Sequence, residues 1–215
     1  LGIDQSTGRP RLLRHVQDCI DSELATVLAP FGYRRVLSRH GFVRDRHGVH
    51  SELRTAISSR PPSLGYIGIL VEPLLVVSVE AWAEEARLRL ASSQPGRFLS
   101  AERPGPVAMM ALDWLMAEPG PHWTLSDEPG EAEIASTASS LAAAVATTAV
   151  PELERLSTPQ SILDRAEGHE LRLLQSAAFV VACGAMAGGR PEVARAILEK
   201  VGTARRAEME RALGL

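Results

Sequence analysis

Three of the six histidines fall in one short stretch, RHGFVRDRHGVH at 39–50. The spacing His40-x6-His47-x2-His50 has the residue type that zinc accepts, so a metal site is the first chemistry to test. If residues 45–48 form the loop of a hairpin, Arg44 opposes Val49, Phe42 opposes Ser51 and His40 opposes Leu53. Side chains alternate along a strand. His40 and Phe42 then share a face with Val49, Ser51 and Leu53, while His50 points the other way and cannot join His40 on one metal. A slip of one residue would reverse this, but it would separate Phe42 from Val49 and Leu53. No cysteine or close carboxylate pair completes a ligand set. The expectation is a hairpin with Gly48 free to take positive φ in its turn, and no metal or other cofactor.

Other reactive side chains form no catalytic set. Ser51, Ser58 and Ser59 lie near the histidines, but no G-x-S-x-G elbow surrounds them. Cys19 and His15 are an i, i+4 pair. Cys19 lies on the apolar stripe of its helix, which suits packing better than an activated thiol. Glu84–Glu85 and Glu131–Glu133 read as solvent-facing carboxylates near helix starts. "GPVAMM" and "GGRPEV" lack the spacing of a phosphate loop.

One further pattern could bind. Arg34, Arg35, Arg39, Arg44, Arg46 and Arg54 are interleaved with Tyr33 and Phe42. Nucleic-acid readers use such faces, and an acidic protein partner suits one equally. The plain alternative is the charged outer side of a one-sided sheet.

These residues need elements to carry them. The chain has 215 residues, 45% hydrophobic, enough for a real core. Net charge is −3, which disfavours a general phosphate-binding surface and a nucleic-acid partner. Lys200 is the single lysine; with abundant alanine this suggests a GC-rich bacterial origin. The most apolar stretch, residues 66–82, is interrupted by Glu72, Pro73 and Glu80, so no membrane span is expected. Two separated cysteines fit a reducing cytosol, and "LGIDQSTGRP" does not read as a signal peptide.

Residues 10–29 carry Leu12, Leu13, Val16, Cys19, Ile20, Leu24, Val27 and Leu28 at helical spacing, with Pro30 and Gly32 to end the helix. Then come short β-branched or aromatic runs: "YRRVL", "GFVR", "VHSELRTAI", "GYIGILVE" and "LLVVSVEAW", which predict antiparallel strands. "AEEARLRLASS" suits a short helix, "VAMMALDWLM" suits a strand or a helix with the strand preferred, "HWTLSD" suits a strand, and 94–106 is loop-like. From 130 the pattern is helical, with Pro151 expected to break it and Thr158 to cap a helix begun by Pro159. Gly188, Gly189 and Pro191 separate a final helical pair.

The order of an N-terminal helix, "FGYRR", "GFVRDRHGVHSELRTAISSR", "YIGILVE", "WTL" and "VPELERLSTPQSIL" resembles the bacterial domain-of-unknown-function family 4304 over about residues 10–165. The resemblance implies a helix leading into a curved antiparallel sheet and then a C-terminal helix. It implies no activity. Residues 83–106 are longer and richer in proline and glycine than the family pattern. "AAFVVACGAMAGGRPEVARAILEKV" is similar to one tetratricopeptide-type helical pair.

The predicted fold is α+β: an N-terminal helix and a curved antiparallel sheet of about five or six strands over 1–129, with a helical part over 130–215 packed on the same domain. Phe31, Phe42, Leu53, Ile57, Ile67, Ile69, Val77, Val79 and Trp82 should be buried. The expected function is that of a non-enzymatic cytoplasmic protein, using the sheet face or the helical pair to hold a protein partner. The alternative is an enzyme or small-molecule-binding protein with its site at His40, Arg44, His50, Glu52 and Arg54. Single-strand nucleic-acid binding is the third reading.

Overall fold

A computed structural model describes residues 8–60, 68–92, 106–117, 122–168 and 175–215. Helix α1 spans Gly8–Leu28, and its stripe Val16, Ile20, Leu24 and Leu28 is fully buried. A 3₁₀ turn, Ala29–Phe31, ends at Gly32 with φ 79°. Strands β1 (Arg34–Val36), β2 (Gly41–Arg46), β3 (Val49–Arg60) and β4 (Gly68–Ser78) follow. Next come α2 (Glu80–Ser92), β5 (Ala108–Ala111) and β6 (Thr124–Leu125). The rest is helical: α3 (Glu131–Ala144), α4 (Val150–Arg155), α5 (Pro159–Glu167), α6 (Gln175–Ala187), α7 (Pro191–Leu198) and α8 (Thr203–Leu213). The fold is α+β, with six strands in one antiparallel sheet ordered β1-β2-β3-β4-β5 and with β6 also paired to β4.

The chain divides into two compact units, each drawn from three segments. Unit 1 holds Leu1–Arg44, Glu52–Leu75 and Met110–Glu152. In it α1 packs on α3, whose face of Ile134, Ala138, Leu141 and Ala142 is buried. His15 Nε2 meets Glu131 Oε1 at 2.9 Å at the start of α3. Among the described residues, Glu131–Arg155 is the one helical run long and apolar enough to cross a membrane, and burial of this face fits a core helix. Unit 2 holds Asp45–Ser51, Val76–Met109 and Leu153–Leu215. Its centre is α6, buried at every residue from Ala177 to Ala185 and packed on α2 and α7. At Gly184 an added Cβ would stand 2.3 Å from the Trp82 ring, so only a hydrogen fits between these helices.

Several expectations hold. Phe42, Leu53, Ile69, Val77, Val79 and Trp82 are buried. Thr158 caps α5 in a reciprocal pair with Ser161, whose backbone N–H donates to the Thr158 hydroxyl at 3.1 Å. Ile57 is half-buried. Ile67 and residues 94–105 of the loop-like stretch lie outside the described residues.

Four expectations are corrected. Phe31 is 42% exposed, because it sits in the 3₁₀ turn after α1 and not on a strand. Pro151 does not break the helix. A π turn, Val145–Ala149, joins α3 to α4, and Val150 N–H bonds back to Val145 O. The wider turn lies just before Pro151, where the pyrrolidine ring needs room and its nitrogen has no N–H to donate. "VAMMALDWLM" is a strand only to Ala111, and Leu112–Trp114 is a 3₁₀ turn.

The fourth correction is the hairpin register. The turn is His47–Gly48 alone, with φ 51° and 77°. Two residues at positive φ make the tight hairpin turn that matches strand twist. Histidine tolerates that conformation better than most residues, so β2 runs on to Arg46. A Cβ at Gly41 would stand 3.6 Å from Arg54 Cα, and Thr55 N–H donates to His40 O at 3.2 Å. The pairing is therefore Phe42 with Leu53, two residues from the expected register. An even shift preserves the faces, so Phe42 and Leu53 stay on one side and both are buried.

Candidate functional site

Unit 1 contains an open groove of about 460 Å³ lined by α1 and β3. One wall is Leu13, Arg14 and Gln17 of α1. The floor is Arg54, Thr55, Ala56 and Ile57 of β3, and His40 closes one end. Residues 13, 14 and 17 project to adjoining parts of one helix surface because four residues make little more than one turn.

The floor is held by buried polar groups. The Gln17 amide donates to Asp21 Oδ1 at 2.8 Å and to Thr55 Oγ1 at 2.7 Å. The Thr55 hydroxyl in turn donates to His40 O at 3.2 Å. Asp21 is fully buried, and Arg35 donates to its other oxygen at 2.7 Å. A buried carboxylate without such partners would cost several kcal/mol (about 3–5), so this chain fixes α1 against the start of β2 and the middle of β3. It also fixes His40, whose φ of 46° is uncommon for a residue with a side chain.

Two arginines, Arg14 and Arg54, and the His40 ring border the groove. Arg14 and the His40 ring are exposed and make no hydrogen bond or ion pair among the described residues. Arg54 donates to Glu52 Oε2 at 2.7 Å, and that bond raises the Arg54 pKa against the opposing cost of burial. The Thr55 hydroxyl is engaged with a carbonyl, so it is not poised as a nucleophile. The arrangement can hold a negatively charged group beside half-buried Leu13 and Ile57.

The five residues singled out in the sequence do not converge. His40 and Arg54 reach the groove, and Glu52 stands behind Arg54 with 1% exposure. Arg44 is turned away into the protein at 6% exposure. Its guanidinium lies 4.7 Å from the centre of the Tyr33 ring and donates to Phe31 O at 3.3 Å. The arginine run is thus no single open face, because alternation sends Arg44 to the side of Phe42. His50 belongs to unit 2, where Nδ1 meets Asp45 Oδ1 at 2.7 Å across the turn. No cluster of three potential metal ligands occurs among the described residues. Cys19 Sγ lies 3.9 Å from His15 Nε2, but burial, then Glu131, then Asp18 raise the thiol's pKa and so disfavour the thiolate a nucleophile needs.

Arg14, Gln17, Asp21 and Thr55 were missed. A signal existed in α1: Gln17 and Asp21 interrupt the apolar rows beside Leu13, Ile20 and Leu24. Polar residues at core-facing positions need partners, and the partner here is 38 residues away at Thr55.

Comparison with protein-family models, curated proteins and solved structures finds no match for the chain.

Proposed function

We propose that the protein is a non-enzymatic cytosolic binding module that holds an acidic group of a protein partner in the groove of unit 1. The observation that carries this reading is the pair Arg14 and His40. Both are exposed at the groove without a partner among the described residues, and they stand with Arg54 over an internally satisfied floor. The charge left unpaired at this concave site is the Arg14 guanidinium, which attracts a ligand of opposite sign, and the His40 ring adds a hydrogen-bonding group beside it. Two free thiols, Cys19 and Cys183, suit a reducing compartment. We further infer kinship with family 4304 from the residue order alone, which adds no activity. The helical pair α6–α7 is the weaker docking candidate, because α6 is consumed by the core of unit 2.

The test is anisotropy of a fluorescein-labelled octaglutamate peptide against wild type, Arg14→Glu and the exposed control Arg195→Glu. Wild type should bind, Arg14→Glu should bind about tenfold or more weakly, and the control should be unchanged. No binding by wild type, or equal loss in both variants, overturns the reading. Glutarate competing as well as peptide would assign the groove to a small dicarboxylate, and labelled single-stranded DNA binding more tightly than peptide would assign it to nucleic acid.

A further inference from the structure

Resting on the groove reading, we propose that the acidic partner docks as an extended segment that adds a strand to the free edge of β3 at Ala56–Ser59. β3 has twelve residues and β2 has six. The register sets Gly41, the first residue of β2, opposite Arg54. His40 O still accepts the Thr55 N–H, and there the ladder on that side stops. β3 continues to Arg60. Its other neighbour is β4, and no strand among the described residues lies beside 56–60 on the β2 side.

Alternation then names the groups on offer. Thr55 N–H points toward β2, so the N–H and C=O of Ile57 and Ser59 point the same way, and those of Ala56 and Ser58 point toward β4. An exposed run of such groups is a template for another strand. Burial agrees with an open edge: Ala56 and Ser59 are exposed and Ile57 and Ser58 half-buried, although they continue a strand whose residues 51–53 and 55 are buried. The groove lies along this edge, because Thr55, Ala56 and Ile57 form its floor and α1 its wall.

Charge selects the occupant. A strand laid past His40 would run under Arg14 and beside Arg54, so carboxylates on it meet cations. The same cations repel a second copy of this edge.

The experiment is amide hydrogen exchange by NMR on the full chain, with and without saturating octaglutamate. Ile57 and Ser59 amides should exchange at least tenfold more slowly with peptide, while Ala56 and Ser58 change little. An octaglutamate N-methylated at every residue should lose at least tenfold in affinity, and one methylated at alternate residues should keep most of it. If peptide binds with Arg14 dependence but Ile57 and Ser59 are unchanged, or full methylation costs nothing, strand addition is overturned and the groove reading survives. If peptide does not bind, both fall. Protection that rises with protein concentration in the absence of peptide would name a second copy as the occupant and overturn the acidic segment.

Discussion

Gly184→Ala should destabilise the protein, although in an isolated helix the same change is stabilising by about 1 kcal/mol. The new methyl would sit 2.3 Å from Trp82 Cδ2 and Cε2 and 2.7 Å from Cγ. Carbon atoms rest at about 3.5–4.0 Å, so the indole or the whole of α2 must retreat by more than about 1 Å. Trp82 is 7% exposed and rigid, so it cannot swing clear as a flexible chain end could. Overpacking of this kind costs about 1–3 kcal/mol, and a planar ring on two close atoms belongs at the upper end. Subtracting the propensity gain leaves a net loss of about 2 kcal/mol. Urea unfolding followed by circular dichroism measures it directly. Repeating the substitution in a Trp82→Ala background completes a double-mutant cycle. There the clash is gone, so Gly184→Ala should be neutral or stabilising by up to about 1 kcal/mol. Equal destabilisation in both backgrounds, or none in the wild type, would refute this account of the α2–α6 contact.

Other perturbations probe the remaining parts. Asp21→Ala leaves Arg35 and Gln17 facing an empty site and should cost about 2–3 kcal/mol in urea unfolding, below the range for a wholly buried pair because Arg35 reaches solvent; Arg35→Ala in the same chain should recover part of it. The Cys183 thiol is pushed up to about 12, by burial first, so it should resist iodoacetamide at pH 8 in the native protein while half-buried Cys19 is labelled faster; mass spectrometry after brief labelling reads both. Burial, the largest cause, raises the Asp113 carboxyl pKa, opposed by His122 and assisted by Glu72. Its folded pKa exceeds the unfolded one, so its contribution to stability is full below about 3.8 and is lost as pH rises through the folded value. Asp113→Asn should therefore raise Tm at pH 7 and lose that advantage near pH 3; an equal effect at both values would show that burial of the charge is not the cause.

What the sequence determined by itself was whatever repeats at a fixed period or is punctuated locally. The stripe Val16–Ile20–Leu24–Leu28 specified α1, Thr158 with Pro159 specified the start of α5, and Phe42 with Leu53 specified which side chains share a face of the hairpin. Even a two-residue error in register left those faces right, because parity and not exact pairing decides them. The tertiary structure alone decided which side chains meet. The groove needs Gln17 against Thr55, and no local pattern encodes a contact across 38 residues. It needs β2 to begin only at Gly41 while β3 runs on to Arg60, and that start is set by the 3₁₀ turn Leu37–Arg39, which ends at His40 with φ 46°. Arg44 and Arg54 look equivalent in a list of arginines. One is stacked on Tyr33 and the other stands at a groove, because alternate residues of a pleated strand leave through opposite faces and only packing says what each face meets.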